Sequence, residues 1–400
     1  MNPDRRLYWI WLQRRLPIGS TVINLLFEHF EDIGDIYAAD KKQLERLGLR
    51  SAIVQALADK SLRDATRIVA DMQQVGGWIL TPDDARYPDS LRHIAGFPAV
   101  LYVQGALPDF NTLPAIAVVG TRGISDNGAK LTFCLSAGLA AAGAIVVSGG
   151  AKYGDAAAHE GALYVGGKTV LVKAASPDVE YPPENTALRR EILKRGGAIV
   201  TEYPPFTKEK CDYHVRNRLI AGMCVGTCIT EAPARSGTLI TANFAREQGK
   251  EVFAVPGDVF DGKHDGAHQQ IRQGAVLVSC ATDILEEYAE RYAGILDIEA
   301  AKSAEETCRK AAFGHTEEAH NTEMINEKTT ETVMVECLAE ASTEAKRVFA
   351  LMDEQPCLVD VLAKKAELPP HRLLILLTEL EMLQCVEQTA GQQYRKKIKR

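Results

Sequence analysis

Apolar positions recur at helical spacing along the first part of the chain and then change rhythm. Leu7 to Leu16 and Thr21 to Phe30 are amphipathic, with Pro17-Ile-Gly-Ser20 as the turn between them, and Glu45-Arg-Leu-Gly-Leu49 offers another short helix end. Residues 1–75 therefore read as a small helical domain. Trp78-Ile-Leu-Thr through Ala99-Val-Leu-Tyr-Val103 reads as extended segments leading onward. From Ala115 apolar runs of strand length appear: Ile116–Val119, Ala144–Val147, Val170–Val172, Ala198–Val200, Cys228–Thr230, Val252–Val255 and Ala275–Val278. Helical patterns separate most of them, over Lys130–Ala142, Ala156–Tyr164, Asn185–Lys194, Leu239–Gln248 and Ile284–Tyr292. Strands apolar on both faces and joined by helices predict an α/β class with a doubly wound, mostly parallel sheet over 76–295.

Residues 296–343 are poor in aromatics and rich in Glu, Ala, Thr and Lys, which predicts an acidic linker, partly disordered or loosely helical. The pattern of a folded domain returns over 344–400. Ala345–Met352, Leu358–Ala363 and His371–Leu383 read as helices, and Cys385-Val-Glu-Gln with Gln393-Tyr-Arg395 as a hairpin around Gly391. Three helices followed by a two-stranded wing is a winged-helix order.

Charge changes this picture in one respect. The net charge of −7 argues against a nucleic-acid partner. However, Leu296–Glu344 holds twelve acidic against four basic residues, a net of −8 that leaves the rest of the chain at +1. The acidity belongs to the linker. Apolar residues at 46% with no run of about 18 predict a soluble protein that does not enter a membrane. Nine scattered cysteines without CxxC pairs, and a start, Met-Asn-Pro-Asp-Arg-Arg, without an apolar signal region, predict a reducing cytoplasmic setting. Cys224 and Cys228 read as small buried hydrophobes rather than metal ligands. No cofactor motif stands out.

The candidate chemistry gathers at strand ends, where ligands of such sheets bind. Gly120-Thr-Arg122 leaves a strand, with Arg122 placed to clamp a phosphate. Ser148-Gly-Gly150 follows the next strand, its glycines allowing close backbone approach and Ser148 able to donate to a phosphate oxygen. His159 reads as a packed helix residue. Gly166-Gly-Lys-Thr169 is no Walker A loop, because Ala162 stands where glycine is needed and a strand follows instead of preceding it. Lys208-Glu-Lys210 and Tyr213, followed by Arg216-Asn217-Arg218, interleave cations with an aromatic face on which a base can stack. One of these arginines is expected in an internal ion pair, with Glu231 as a candidate partner, and the others at the ligand. Ser236-Gly237-Thr238 follows a strand and opens a helix, a ready anion site. Arg395-Lys-Lys-Ile-Lys-Arg400 reads equally as a nucleic-acid contact and as a solubilising tail.

Together, Gly120-x-Arg122, Ser148-Gly-x-Ala151, Asp155-x-x-Ala-His159, Asp178-x-x-Tyr-Pro-x-x-Asn185, Arg216-Asn-Arg-x-Ile-Ala-Gly222, Glu231-Ala-x-x-x-Ser-Gly-x-Leu-Ile-Thr241 and Ala254-Val-Pro-Gly257 resemble the bacterial DNA-processing protein A (DprA/Smf) family. The resemblance covers roughly Tyr87 to Leu285. It implies a Rossmann-like core that binds single-stranded DNA without catalysis, a homodimer, and delivery of the RecA recombinase onto that strand during natural transformation. It also implies that Arg122 grips phosphate, that Lys210 is the basic position ahead of the Arg-Asn-Arg block, and that Tyr213 stacks on a base. The helical segment 1–75 is then SAM- or helix-hairpin-helix-like, either touching DNA or serving as a packing module. The chain departs from the family at Ala174 and Ser176, where glycines are usual, at Tyr153 in place of Ile, at Tyr213-His214 in place of Phe-Pro, and at His268 in place of Asn. An alternative function is a nucleotide-processing or nucleotide-sensing enzyme related to the phosphoribohydrolases, resting on Gly237-Thr238 and Glu231.

Overall fold

The computed structural model describes residues 4–208, 211–313 and most of 342–396. The chain divides into two compact units, Met1–Gly314 and His315–Arg400.

The first unit is built on one nine-stranded sheet. Its strands are β1 (Trp78–Leu80), β2 (Leu101–Gly105), β3 (Ala115–Val119), β4 (Ile145–Ser148), β5 (Thr169–Val172), β6 (Ala198–Thr201), β7 (Gly226–Ile229), β8 (Glu251–Ala254) and β9 (Val276–Leu277). They lie in the order β1-β2-β6-β5-β4-β3-β7-β8-β9, and every pair from β6 to β9 is parallel, while β1 and β2 add an antiparallel edge. The order reverses between β3 and β7, which makes the gap beyond their carboxyl ends the switch point of a doubly wound sheet.

Strand periodicity explains why the central runs carry no polar face. Ala115, Ala117 and Val119 pack into the core on one side of the sheet, and Ile116 and Val118 into the core on the other. The helices Asp126–Ala141 and Gly154–Tyr164 follow β3 and β4 and lie close together, because Gly161 has no side chain where the two backbones meet. The former helix is capped by Ser125, whose hydroxyl accepts from the Gly128 N–H at 3.0 Å.

Two sequence expectations change. The six helices between Arg5 and Gln74 share a continuous core with the sheet, since Trp9, Leu12, Ile36 and Met72 pack in the same cluster as Leu101 and Ala117. The Pro17–Ser20 turn is also spoken for. A side chain at Gly19 would meet Val215 Cγ1 at 2.8 Å and Arg218 Nε at 3.1 Å, so this turn packs on protein. The expected linker, in turn, begins with a helix, Ile298–Phe313, that belongs to the first unit. It buries Ala301, Glu305 and Cys308, spaced at i, i+4 and i+7, while Glu299 and Glu306 face water. Glu305 is held by the Ala281 N–H at 2.8 Å and by Arg309 at 2.8 Å. A buried stripe of alanine, glutamate and cysteine carries little apolar signal, so the segment looks like a linker in sequence. Residues 314–341 lie outside the described residues.

The second unit has helices Thr343–Ala350, Val359–Ala366 and Pro370–Met382. Its small antiparallel sheet places β12 (Gln393–Lys396) between β10 (Cys357–Leu358) and β11 (Val386–Thr389). Val348, Leu362, Leu373, Leu377 and Tyr394 form its core. This is a winged helix, as the helix order predicts. Lys397–Arg400 of the basic tail lie outside the described residues.

The Gly161 contact is testable. A Cβ there would lie 2.2 Å from the Phe133 carbonyl oxygen, so Gly161→Ala is expected to destabilise the first unit by about 1–3 kcal/mol, read as a lower urea midpoint. Gly123→Ala, with open space around it, should leave the midpoint in place.

Candidate nucleic-acid interface

A cleft of about 440 Å³ opens at the switch point, within the usual range of ligand sites. It is lined by Gly120–Arg122 after β3, by Tyr213, Arg216 and Asn217 on the helix Tyr213–Met223, and by Ser236–Thr238 after β7. A smaller pocket adjoins it, between Arg122, the Gly149–Lys152 loop, Lys173–Ala175, Tyr181 and Tyr213.

Tyr213 is the centre of the arrangement. Its ring is 38% exposed, the Arg122 guanidinium lies 5.3 Å from the ring centroid, and that of Arg216 lies 5.9 Å away. No ion pair engages Arg122 among the described residues, whereas Arg216 is deeply committed. Its Nη1 donates to the Gly149 carbonyl at 2.6 Å and to the Val172 carbonyl, and its Nε donates to Asn217 Oδ1 at 3.1 Å. Gly149 is glycine for this reason. A Cβ there would sit 2.7 Å from Arg216 Nη2 and 2.8 Å from Asp155 Oδ2. The Asn185 side chain fastens the same loop, donating to the carbonyls of Gly150 at 3.1 Å and Ala151 at 3.0 Å.

The other predicted residues divide. Ser236, Gly237 and Thr238 line the cleft, with the Ser236 hydroxyl accepting from the Thr238 N–H at 3.2 Å, and no side chain from outside caps the helix Thr238–Glu247. The helix bearing Arg216 is different: Asp212 caps it, accepting from the His214 N–H at 2.7 Å, so its start is already satisfied by a carboxylate. Ser148 is not at the ligand. It is fully buried and donates to the Val118 carbonyl at 2.6 Å, because the last residue of β4 still points into the sheet. Arg218 is the structural arginine, paired at 2.8 Å with Glu202, both side chains being 5% exposed. The Glu231 pairing is thereby corrected. Glu231 is itself fully buried, accepting from the Ser125 N–H at 2.9 Å and the Ser125 hydroxyl at 2.5 Å. It fixes the helix start after β3 and offers nothing to a nucleotide, which removes the residue on which the enzymatic alternative rested.

Lys208 lines a separate cleft with Arg14, Arg67 and Phe206, and Lys210 lies outside the described residues. Lys152 and Tyr181 at the smaller pocket were not singled out in the sequence. The Tyr181-Pro-x-x-Asn185 pattern marked the place but carried no sign of a role for its aromatic. Among the described residues there is no cluster of side chains that could hold a metal.

The loop after β5, where the resemblance implies glycines, has a different construction. Lys173 is buried and donates to the carbonyls of Pro177 at 3.3 Å and Val179, and burial brings its ammonium down to about 8. The Ser176 hydroxyl donates to Asp178 at 2.8 Å. Ala174 and Ala175 then present methyl groups to the smaller pocket where a glycine loop would present bare backbone.

His159, behind the site, is completely buried. Thr169 donates its hydroxyl to the Val146 carbonyl at 2.8 Å, so Nδ1 of His159 must donate to Thr169 Oγ1 at 2.7 Å, leaving Nε2 unpartnered. Burial, and secondarily the Arg216 charge, push its imidazole down to about 3. The unfolded chain therefore takes up this proton first, and stability falls with pH from about 6.5 toward 3. Between pH 7 and 5 the stability of the protein should fall by about 2 kcal/mol more than that of a His159→Asn variant, measured by denaturant unfolding at each pH. Equal pH dependence in the two would refute the buried neutral state.

Residues 78–289 match the DNA recombination-mediator protein A family, and residues 337–392 match the DprA winged helix domain. The chain is 41% identical over 206 residues to DNA processing protein DprA of Streptococcus pneumoniae, covering 51% of this chain and 72% of that protein. It is 27% identical over 404 residues to Protein Smf of Synechocystis, covering 99% of this chain and 100% of that one. The X-ray structure of DprA from Streptococcus pneumoniae superposes with a TM-score of 0.60 and 32% identity, covering 72% of this chain and 99% of that one. The chain belongs to the DNA recombination-mediator protein A (DprA/Smf) family, a family of DNA-binding recombination mediators and not of enzymes.

Proposed function

We propose that the chain binds single-stranded DNA in the switch-point cleft and acts on it only by holding it. The observation that carries this reading is the half-exposed Tyr213 ring with the Arg122 and Arg216 guanidinium groups beside it. An aromatic face accepts any base, and cations next to it neutralise the backbone on either side, which is the chemistry of sequence-tolerant strand binding. Duplex DNA, with its bases stacked inward, cannot use the ring. Three residues that the sequence offered as nucleophile, base or acid (Ser148, His159 and Glu231) are buried and hydrogen-bonded within the fold.

Family membership supports the larger role: protecting an incoming strand and delivering the RecA recombinase onto it, as a homodimer, as in natural transformation. A cytoplasmic setting agrees with free cysteines throughout the described residues and with the lack, among them, of any helix long and apolar enough to cross a membrane. Faster assembly of RecA on protected single strands in the presence of the purified chain would support this role, and no effect on assembly would remove it.

Binding of labelled oligo-dT at several salt concentrations tests the cleft. Arg122→Ala and Lys210→Ala should each weaken binding and lower the slope of log affinity against log salt by roughly 0.7 per lost phosphate contact. Tyr213→Ala should weaken binding roughly 5- to 150-fold with the slope unchanged, since stacking involves no counterion. Unchanged affinity and slope in both charge variants would overturn the site.

A further inference from the structure

Among the described residues, the non-glycine residues with positive φ are Tyr153, at 65°, and Phe206, at 56°. Bulky side chains rarely occupy that region, because Cβ crowds the backbone. Strain of this kind is retained where packing or function requires it. Packing does not require it here. Tyr153 is 63% exposed and Phe206 48%, so neither ring contributes much to a core.

Both residues instead follow strands whose carboxyl ends form the edge that carries the cleft, Phe206 in the separate cleft it shares with Lys208. The neighbouring strands β6, β5, β4, β3 and β7 are mutually parallel, so their carboxyl ends share one edge of the sheet. In that spatial order the following loops present Phe206 with Lys208, then Tyr181, then Tyr153 with Lys152, then Arg122, then Ser236–Thr238. At roughly 4.8 Å per strand the row extends about 19 Å, far beyond one nucleotide. The backbone that carries each flanking ring is held by construction. The Phe206 N–H donates to Asp178 Oδ1 at 2.7 Å, on the carboxylate that also receives the Ser176 hydroxyl. Tyr153 directly precedes Gly154, whose Cα packs against Gly120; a Cβ at Gly154 would lie 2.8 Å from the Gly120 carbonyl carbon.

We propose that a single strand lies along this edge and that Tyr153 and Phe206 each take a base from it, in addition to the one on Tyr213. This rests on the single-strand reading of the cleft and extends it into a row of stacking rings interspersed with cations, of which Lys152 is itself paired with Glu184. It also gives the departures at Tyr153 and Ser176 a purpose: one supplies a ring, the other helps hold one.

The test uses glycine, which adopts these φ values without strain and removes the ring. Tyr153→Gly and Phe206→Gly in the full chain should melt at or above the wild-type temperature. Each should bind oligo-dT roughly 5- to 150-fold more weakly. Each should also bind an abasic oligonucleotide of the same length within about twofold of wild type, because the phosphate contacts of the row are unchanged. Tyr153→Phe should retain wild-type affinity for oligo-dT. Unchanged oligo-dT affinity in both glycine variants, or an equal loss on abasic DNA, would overturn the proposal while leaving the cleft reading intact. Failure of the wild-type chain to bind oligo-dT would instead overturn the cleft reading, and this extension with it.

Discussion

Arginine keeps its charge in a protein, so burying Arg216 obliges its surroundings to supply acceptors. Those acceptors are the carbonyls of Gly149, just beyond β4, and Val172, at the end of β5, and the guanidinium thereby ties two strand ends to the helix that carries Tyr213. Much of the site follows from this one demand. Gly149 must lack a side chain, the Gly149–Lys152 loop must be clamped by Asn185, and Tyr213, one turn before Arg216, is set beside the Gly120–Arg122 turn. The cation that looks in sequence like a free phosphate ligand is first of all the pin of the cleft. Arg122 has the freer role, since no such network holds it.

Chemistry can be lost as well as gained through burial. Ser148, His159 and Glu231 are residue types from which active sites are built, and all three stand at or behind strand ends where a doubly wound fold places its ligands. Each is spent on the architecture. Ser148 closes a contact between β4 and β3, His159 reaches across to β5, and Glu231 pins the start of the helix after β3. What faces the cleft is an aromatic ring, guanidinium groups, the His214 and Asp155 side chains and a helix start engaged by the Ser236 hydroxyl. Such a surface suits the holding of a polyanion proposed above.

The central strands were legible in the sequence because both faces of β3, β4 and β5 are apolar and the runs are of strand length, separated by helical patterns. Arg122 and Tyr213 were legible as partners only through motif order, and the structure brings them together as that order implies. Three features were not legible, each for a physical reason. The helix Ile298–Phe313 buries a carboxylate and small residues, so its inward face has no hydrophobic signature. The Arg218 partner is Glu202, sixteen residues upstream across a β-strand end, and sequence spacing carries no trace of such a contact. The cap on the Tyr213 helix is Asp212, an ordinary acidic residue until the helix start is known.

The loss of glycine at positions 174 and 176 ties these threads together. A glycine loop meets phosphate with bare N–H groups, whereas this loop turns its polar groups inward. The Lys173 ammonium takes the carbonyls of Pro177 and Val179, the Thr201 hydroxyl takes that of Ala175, and Ser176 binds Asp178. The loop thus becomes a scaffold whose outward products are methyl groups toward the smaller pocket and a carboxylate that seats Phe206. In the proposed reading, recognition moves from backbone to side chains, from anion cradle to ring and cation. For the sequence-tolerant binding proposed above, that exchange sacrifices little, because stacking and charge are both indifferent to which base arrives.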